Sequence, residues 1–485
     1  MDKNLCALSP APVWKHFAEI VRIPRPSHHE ERIRKHIVDF AVSRGLEHTV
    51  DGAGNVCIRK PATAGMEARK GIILQAHLDM VPQKNGDKEF DFEKDPIDAY
   101  IDGGWVTADG TTLGADNGIG VAAALAVLDD DTIAHGAIEA LFTATEETGM
   151  DGAFGLQAGL LRGDILLNLD SETEGELCVG CAGGLDADIR LPYTAEPAPK
   201  SGFRAYRLSI TGLKGGHSGI QIDCGRANAN RLLFRFLLHS GVRTLLCSVD
   251  GGGLRYAIPR EAAAVLLVGE SDAARLVEEA AQFAATVNAE YAGIEQDIVV
   301  TATPAALPDD FIPEQTAARL ARAVAGAPNG VISMSAAMPG LVQTSSNLAR
   351  VVADGTCVRI QCLLRSSVNS EKQALGEALR GVFELAGASV ELNGSYDGWK
   401  PDTCSPILHA MTASYEALFS AKPAVKAIHA GLECGIIGGT YPNLDMISFG
   451  PTICYPHSPD ERVDIASVGR FYRFLLHTIE NAPLK

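Results

Sequence analysis

The 485-residue chain carries 42 basic and 60 acidic side chains, which gives a formal net charge of −18. This balance repels phosphate backbones and anionic lipid surfaces, so neither nucleic acid nor a membrane is expected as a partner. Hydrophobic residues make up 46% and charged residues 21%, which is typical of a globular protein and excludes a disordered or rod-like chain. A small-molecule substrate is therefore the first expectation.

The start of the chain and its cysteines favour the cytoplasm. The first residues, MDKNLCALSPAPVWKHF, lack the apolar run of a signal peptide. No apolar window reaches the ~20 residues of a membrane-spanning helix. The 11 scattered cysteines suit reduced thiols better than a disulfide framework.

The first predicted helix follows residues 27–30, whose sequence SHHE has the S-x-x-E form of a capping box. Apolar residues at helical spacing continue over 33–41. We therefore expect His28 and His29 to be surface residues of the first turn and not metal ligands.

Apolar runs and helical patterns then alternate, which predicts an α/β domain with a mostly parallel sheet. The runs are at 72–76, 138–144 and 165–169, and the helices are near 118–128 and 152–161. In such sheets, functional residues gather beyond the carboxyl ends of the strands.

The character changes at 183–203, where a Gly-Gly pair and a proline-rich stretch indicate a linker. Two similar series follow, at 204–301 and 314–393, and the first reads β-α-β-β-α-β, the order of a ferredoxin-like unit. The α/β pattern returns after 401. We predict a catalytic domain formed by 1–185 and 398–485, with an inserted α+β lid domain of two ferredoxin-like units at 186–397.

Four segments end apolar runs with metal-type ligands, and a fifth follows the strand predicted at 443–449 and a Gly-Pro turn. They are QAHLD (75–79), GADNG (114–118), TEETG (145–149), NLDSE (168–172) and YPHSPD (455–460). Each alone is more often a solvated or helix-capping group, and Asp116 also fits an N-cap of the helix that follows. Two imidazoles with several carboxylates suit zinc, cobalt or manganese better than calcium.

Two local patterns refine this prediction. His77 and Asp79 leave an extended strand end on the same face, so Asp79 can orient the imidazole. Glu146 and Glu147 repel each other unless cations are near, so one of them would bind metal and the other would act as a general base. The plainer interpretation of that pair is an exposed acidic turn.

Longer stretches resemble the carnosinase-like dinuclear zinc peptidases and, within that family, the bacterial aminoacyl-histidine dipeptidases, also called cytosol non-specific dipeptidases. The resemblance covers nearly the whole chain. Its most specific stretches are LQAHLDMVPQKN (74–85), DFEKDPI (91–97), GTTLGADNGIG (110–120), TEETGMDGAFGL (145–156), GCAGG (180–184), GLKGGHSG (212–219), IHAGLECG (428–435) and PHSPDE (456–461).

The resemblance implies a role for each matching position. Two Zn²⁺ ions per chain, for which Co²⁺ or Mn²⁺ can substitute, would be bound by His77, Asp116, Glu147, Asp170 and His457, with Asp116 bridging them. Asp79 would orient His77, Glu146 would be the general base, and His217 would help to stabilise the tetrahedral oxyanion. The resemblance also implies a homodimer.

Substrate contacts transfer less directly. Arg365 would receive the terminal carboxylate of a dipeptide, and Asn347 and Glu433 would bind its polar ends; a plain surface arginine is the competing interpretation of Arg365. One position departs from the family pattern, since Tyr256 stands where an Asn is expected, which leaves the side-chain preference open.

The resulting prediction is a metal-dependent hydrolase of unblocked dipeptides, including Xaa-His and β-alanyl-histidine. The alternatives are a tripeptidase, a carboxypeptidase or an N-acyl amino-acid hydrolase of the wider family, or a metal-dependent peptide-binding protein without turnover. The C-x-x-C pair Cys178 and Cys181 is interpreted as two structural thiols, because no second pair completes a zinc site.

Overall fold

The computed structural model describes residues 3–485 and divides them into two units by contact density. The first unit comprises the chain up to Gly180, Pro401–Ala427 and Leu432–Lys485. The second comprises Cys181–Lys400 and Ile428–Gly431. None of the helices in residues 3–485 combines the length and apolar character that a membrane crossing demands.

The elements of the first chain stretch are α1 (Ala11–Ile20), α2 (Glu31–Ser43), β1 (Glu47–Val50), β2 (Val56–Lys60), β3 (Ile72–His77), β4 (Ala99–Asp102), β5 (Trp105–Ala108), α3 (Ala115–Asp129), β6 (Ile138–Thr143), α4 (Glu146–Gly149), α5 (Asp151–Gly155), β7 (Ile165–Asn168) and β8 (Glu176–Cys181).

The middle stretch contains β9 (Gly183–Pro192), β10 (Glu196–Pro197), β11 (Phe203–Thr211), β12 (Gly216–His217), α6 (Ala229–His239), β13 (Thr244–Gly251), β14 (Ala257–Ile258), β15 (Ala262–Gly269), α7 (Ala273–Glu290), β16 (Val299–Pro304), β17 (Asp310–Phe311), α8 (Glu314–Gly326), β18 (Gly330–Met334), β19 (Val342–Ala353), β20 (Cys357–Ser366), α9 (Asn369–Leu385) and β21 (Ser389–Tyr396).

The last stretch contains α10 (Pro406–Phe419), β22 (Ala424–Ile428), α11 (Glu433–Thr440), β23 (Asp445–Ser448), β24 (Ile453–Cys454), β25 (Arg462–Asp464) and α12 (Ile465–Glu480).

The first unit is built on an eight-stranded sheet in the order β1-β2-β6-β3-β7-β23-β8-β22. Its central strands β6, β3, β7 and β23 run parallel. Every residue of β3, β6 and β7 is buried, which explains why these strands appear in the sequence as uninterrupted apolar runs. The predicted α/β class is confirmed, and the sheet is parallel at its centre, whereas the outer strands β1, β2 and β8 pair antiparallel.

The predicted capping box at 27–30 is wrong. The helix α2 begins at Glu31 without a side-chain cap, and His28 has a positive φ of 68°, so the chain is not helical there. The Ser27 hydroxyl donates instead to Asp79 at 2.7 Å. A carboxylate oxygen of Glu30 accepts from the backbone and hydroxyl of Thr145. The motif residues are used for long-range contacts, which a local pattern cannot reveal.

The second unit contains a nine-stranded antiparallel sheet in the order β16-β11-β15-β13-β19-β20-β9-β21, with β18 also paired to β19. The helices α6, α7, α8 and α9 cover one face. The strands form two ferredoxin-like sets, β16-β11-β15-β13 and β19-β20-β9-β21, joined where Asp250 and Gly251 of β13 lie opposite Val352 and Val351 of β19.

The linker predicted at 183–203 is wrong over its first half, because Gly183–Pro192 is the strand β9 of this sheet. It pairs with β20 over ten residues and with β21 on its other side. Its odd-numbered residues from Leu185 to Leu191 are buried in the core, while the even-numbered ones from Asp186 to Arg190 lie on the opposite face. The glycine pair and the later prolines hid this alternation.

Candidate metal centre

Strand β3 brings His77 to the carboxyl edge of the first unit's sheet, where the imidazole is 1% exposed. Asp79 is fully buried, and its Oδ1 lies 3.3 Å from Nδ1 of His77. The Asp79 carboxylate also accepts from Ser27 and from two backbone N–H groups at the start of α4. Burial opposes the charge on Asp79, yet His77, by its hydrogen bond and its charge, and then these other hydrogen bonds hold the pKa of its carboxyl below the usual range. Asp79 is thus an anion that fixes the imidazole.

The turn before α3 carries Asp116. The peptide bond between Asp116 and Asn117 is cis, and both residues have non-helical backbone angles, so the regular helix begins at Gly118. Gly114 has a φ of 71°, and a Cβ there would lie 2.6 Å from Nη2 of Arg25. Only glycine therefore fits at the start of this turn.

Two buried ionic side chains hold this turn from opposite sides. The Arg25 guanidinium donates to the carbonyls of Leu78, Asp79 and Gly114. The Glu461 carboxylate accepts from four consecutive backbone N–H groups, those of residues 113–116, at 2.8–3.2 Å. Arg25 is 1% and Glu461 2% exposed. The backbone that presents Asp116 is thus tied to the loop after β3 and to the segment after His457.

The two carboxylate oxygens of Asp116 face different histidines. Oδ1 lies 3.1 Å from Nε2 of His77, and Oδ2 lies 3.2 Å from Nε2 of His457. On the first side, Asp170 Oδ1 is also 3.2 Å from His77 Nε2. On the second, Glu147 Oε2 is 2.9 Å from His457 Nε2. Asp116 therefore belongs to two ligand clusters at once.

These distances suit metal coordination. Two atoms bound about 2.0–2.1 Å from one tetrahedral zinc are about 3.3 Å apart. The clusters His77–Asp116–Asp170 and Asp116–Glu147–His457 each bring three ligand atoms within 4.8 Å, and a third such cluster joins His77, Glu146 and Glu147.

Oxygen atoms without a hydrogen-bond partner support the same interpretation. Oε1 of Glu147 is buried without one, and Oδ1 of Asp170 has the His77 ring 3.2 Å away without an aligned hydrogen bond. Buried polar atoms normally have partners, so these oxygens indicate a group that the protein itself does not supply. The donor set of two imidazoles and three carboxylates fits a pair of zinc-like cations.

The electrostatics of the centre indicate unbalanced negative charge. Burial, with the charges of Asp116 and Glu147, raises the pKa of Asp170 to about 7 against the opposing effect of His77. Hydrogen bonds to Asp116 and Glu147 raise the pKa of His457 to about 11. Cations at these positions would balance the same charge.

Glu146 lies in the third of these clusters, beside His77 and Glu147. Burial raises the pKa of its carboxyl well above the usual range, and the charges of Asp170, Glu433 and Glu147 add to this effect while His77 opposes it. A carboxyl group with a raised pKa can both accept and donate a proton near neutral pH.

Glu433, at the start of α11, belongs to the same unit. Its Oε2 accepts from Gln75 at 2.6 Å and from Thr143 at 2.8 Å, while Oε1 is buried without a hydrogen-bond partner. Burial raises its pKa to about 7, together with the charges of Asp170 and Asp79. The structure thus groups Glu433 with the predicted metal ligands.

The other three predicted site residues, His217, Asn347 and Arg365, lie in the second unit. His217 ends the short strand β12, and its Nδ1 accepts from the backbone N–H groups of Gly219 and Ile220, both at 3.1 Å. Burial lowers the pKa of His217, and the charge of Arg365 lowers it further. With Nδ1 as an acceptor, Nε2 must carry the proton and can donate it.

Asn347 and Arg365 lie on adjacent strands, β19 and β20. The Asn347 amide donates to the carbonyls of Arg255 and Ala257, and its Oδ1 is buried without a hydrogen-bond partner. Arg365 is 6% exposed, so it is not the plain surface arginine considered from the sequence. Its Nη1 lies 3.4 Å from the hydroxyl of Tyr396.

Sequence reasoning missed Arg25, Glu461 and His429. His429 is buried, and its Nε2 lies 2.7 Å from the Ser345 hydroxyl. Arg25 and Glu461 act on backbone atoms far away in the chain, so no spacing rule marks them, although Glu461 ends the stretch PHSPDE. The ligand clusters of residues 3–485 contain neither Cys178 nor Cys181.

Comparison with known proteins gives consistent matches along the chain. The family model of peptidase family M20/M25/M40 matches residues 73–481. The cytosol non-specific dipeptidase of Escherichia coli (strain K12) is 47% identical over 484 residues, which cover 99% of this chain and 100% of that protein.

Two solved structures are similar to this chain over nearly its whole length. The crystal structure of aminoacylhistidine dipeptidase from Vibrio alginolyticus superposes with a TM-score of 0.94 at 47% identity and covers 99% of both chains. Aminopeptidase PepT from Bacillus cereus reaches a TM-score of 0.59 at 16% identity, over 98% of this chain and 99% of that one, and shares the fold.

Proposed function

The chain belongs to peptidase family M20/M25/M40, and from this premise we propose that it is a metal-dependent dipeptidase that hydrolyses unblocked dipeptides, including Xaa-His and β-alanyl-histidine. Two relatives that match nearly its whole length at 47% identity are named as dipeptidases, and one of these names specifies aminoacyl-histidine substrates.

One observation carries the proposal: Asp116 presents one oxygen to the His77–Asp170 side and the other to the His457–Glu147 side. The cluster His77–Asp116–Asp170 would hold one cation and the cluster Asp116–Glu147–His457 a second, and we assign them as Zn²⁺, with Co²⁺ or Mn²⁺ as substitutes. Such ions lower the pKa of water and polarise a scissile carbonyl.

The protein's own groups supply the proton transfers. We assign Glu146 as the general base that takes a proton from the attacking water and passes it to the leaving amine. Asp79 keeps His77 in one tautomer by holding its Nδ1–H. Nε2–H of His217 is a neutral donor suited to a developing oxyanion.

Recognition of the substrate ends follows from charge. We assign Arg365 to the terminal carboxylate, because a guanidinium binds a carboxylate through two parallel hydrogen bonds. Glu433 Oε1 is a buried acceptor suited to an ammonium group, and Asn347 Oδ1 is a second acceptor for a substrate N–H. A free dipeptide carries both charged ends, whereas a blocked amino acid carries one.

A panel assay tests the proposal. Metal-stripped protein would be restored with Zn²⁺ or Co²⁺ and given Gly-His, β-Ala-His, Ala-Ala, Ala-Ala-Ala and N-acetyl-Ala. We expect metal-dependent cleavage of the free dipeptides alone. Cleavage of the tripeptide or the blocked amino acid would instead support the tripeptidase, carboxypeptidase or acylase alternatives.

A variant separates catalysis from binding. Glu146→Gln keeps the size of the side chain and removes its basicity, so we expect turnover to fall by about 10²–10⁴-fold with metal content unchanged by elemental analysis. Full activity of this variant would contradict the mechanism. Metal binding without any cleavage by the parent protein would favour the peptide-binding alternative.

We further infer a homodimer, supported by the strand β18. Val331, Ile332 and Met334 are 37%, 45% and 48% exposed on this strand, which pairs with β19 alone among the described strands. Apolar edge strands favour association. Sedimentation should give the mass of two chains for the parent and of one chain for Ile332→Glu, with Thr303→Glu on β16 as the control.

We also propose a cytoplasmic location, since the Escherichia coli relative is named a cytosol dipeptidase. Cell fractionation with an antibody to the chain tests this, and recovery with periplasmic or membrane markers would contradict it.

A further inference from the structure

Strand register places Arg365 in a row across four strands of the second unit. Ser345 of β19 lies opposite Arg365 of β20, Arg365 lies opposite Gly184 of β9, and Gly184 lies opposite Tyr396 of β21. Residues directly opposite each other in antiparallel strands point to the same face. Arg365 therefore has Ser345 on one side and, beyond a residue without a side chain, Tyr396 on the other.

Gly184 provides the space that lets Tyr396 reach Arg365. A Cβ at Gly184 would lie 2.3 Å from Cε1 of Tyr396 and 2.7 Å from its Cζ, so the phenol ring occupies the volume that a side chain would fill. The ring lies over the backbone of β9, and its hydroxyl is 3.4 Å from Nη1 of Arg365.

The backbone and the ring of Tyr396 are both held in place. The ammonium group of the buried Lys372 donates to the Tyr396 carbonyl and lies 6.0 Å from the centre of its ring. On the opposite side of Arg365, the Ser345 hydroxyl is bound to His429 at 2.7 Å. Tyr396 and Ser345, which lie on either side of the Arg365 guanidinium, are thus held in place by Lys372 and His429 respectively.

Arg365 itself has no acidic partner among the residues that the structure describes. On the same sheet face, Arg255 pairs with Asp186 at 3.0 Å and with Asp188 at 2.7 Å. Those two carboxylates are therefore occupied, and Arg365 keeps its charge for another anion. An unpaired buried guanidinium needs hydrogen-bonding neighbours to keep it in one orientation.

We infer that Tyr396, seated over Gly184, is a positioning residue that aims Arg365 at the terminal carboxylate of the substrate. This inference rests on the proposed function. Bidentate binding of a carboxylate requires the guanidinium plane to be set in advance, and a phenol hydroxyl on Nη1 restricts its rotation. Neither Gly184 nor Tyr396 touches the substrate in this scheme.

The experiment compares Ala-Ala with Ala-Ala amide, which lacks the terminal carboxylate. KM and kcat would be measured on metal-loaded protein for the parent, Tyr396→Phe, Arg365→Ala and the double variant, with Tyr206→Phe on β11 as the matched control. The readout is the ratio of kcat/KM for the acid to that for the amide.

We expect Arg365→Ala to lower this ratio by about 100-fold and Tyr396→Phe to lower it by roughly five- to tenfold, the effect of one lost hydrogen bond. The loss in Tyr396→Phe should appear in KM for Ala-Ala, with kcat and the amide unchanged. The double variant should match Arg365→Ala within about twofold, because Tyr396 acts through Arg365. Tyr206→Phe should match the parent.

Gly184→Ala is a second route to the same result. Its methyl group displaces the Tyr396 ring, so the acid-to-amide ratio should fall as in Tyr396→Phe while circular dichroism shows a folded chain.

Other outcomes overturn the inference in distinguishable ways. An unchanged ratio in Tyr396→Phe, or a double variant in which the two losses multiply, contradicts the positioning role while the dipeptidase stands. If metal-loaded parent protein cleaves no dipeptide at all, the proposed function fails first and the inference fails with it.

Discussion

Two buried side chains beside the candidate metal centre, Arg25 and Glu461, form hydrogen bonds with backbone groups. Glu461 accepts hydrogen bonds from four N–H groups of the turn that carries Asp116. Arg25 donates hydrogen bonds to carbonyls of that turn and of the loop after His77. A carboxylate among N–H groups and a guanidinium among carbonyls are charge-assisted contacts, about twice as strong as neutral ones. The positions of His77 and Asp116 depend on both.

Replacing Glu461 by Gln tests this dependence. An amide offers one oxygen and one NH₂ to four donors, so two N–H groups lose their acceptor and face another donor. We expect zinc affinity, measured by competition with a chromogenic chelator, to fall by about 10–100-fold. Glu480→Gln on the exposed end of α12 is the control, and an equal affinity in both variants would refute the role of Glu461.

The buried His429 makes the free energy of unfolding depend on pH. Its burial, with the nearby charge of Arg365, lowers its pKa to about 3. The unfolded chain binds a proton at His429 below about pH 6.5, whereas the folded chain does not, so the free energy of unfolding falls as pH decreases from 6.5 towards 3.

The variant His429→Gln should remove this contribution. In urea denaturation, the parent should lose roughly 2–3 kcal/mol more than the variant between pH 7 and pH 4.5. The variant His239→Gln on α6 is the control. Parallel curves for the parent and His429→Gln would show that His429 is protonated equally in both states.

At the scale of elements, strands with strong periodicity were predictable and strands with mixed signals were not. The run at 72–76 is β3, and the segment at 204–211 is β11 within one residue, because burial on both faces or on one face leaves a clear pattern. Strand β9 begins with two glycines and precedes a proline-rich loop, so local turn chemistry outweighed its alternation. Helix α5 ends at Gly155, before the predicted 161.

The candidate metal centre likewise contains some residues that the sequence predicts and others that it does not. Four ligand segments were predicted because they end apolar runs and a fifth because it follows a strand and a Gly-Pro turn, and the structure brings their side chains together. The contacts of Ser27, Arg25 and Glu461 join positions 52 to 348 residues apart, and such contacts depend on the completed fold.

Strand β9 gives an element-scale prediction. Ile189 is 1% exposed in the core of the second unit, whereas Arg190 beside it is exposed. We expect Ile189→Ala to lower the free energy of unfolding by about 2–4 kcal/mol and Arg190→Ala by less than about 0.5 kcal/mol. Chemical denaturation measures both, and equally small effects would indicate that residues 183–192 are a linker after all.

At the scale of the whole molecule, all the predicted metal ligands belong to one of the two units. Residues 77–170 and His457 both lie in the first, so a metal ion stabilises that unit directly. Tryptophans report on the units separately, since Trp14 and Trp105 lie in the first and Trp399 in the second.

Metal removal should therefore lower the unfolding temperature of the first unit more than that of the second. In a Trp399→Phe variant, fluorescence follows the first unit, and we expect saturating Zn²⁺ to raise its unfolding temperature by about 5 °C or more. In a variant that combines Trp14→Phe and Trp105→Phe, the unfolding temperature reported by Trp399 fluorescence should change by less than about 2 °C. Equal shifts in both would place metal ligands in the second unit as well.

The position of β9 sets an order of events during synthesis. Residues 203–304 form a contiguous ferredoxin-like set that can close on itself as soon as it has left the ribosome. Strand β9 emerges earlier, but its partner β20 follows roughly 165 residues later, a delay on the order of 10–30 s at typical translation rates. The inner set is therefore a folding unit nested inside another, and nascent β9 remains without its native neighbours while the inner set matures. Chaperone demand should be greatest in that interval.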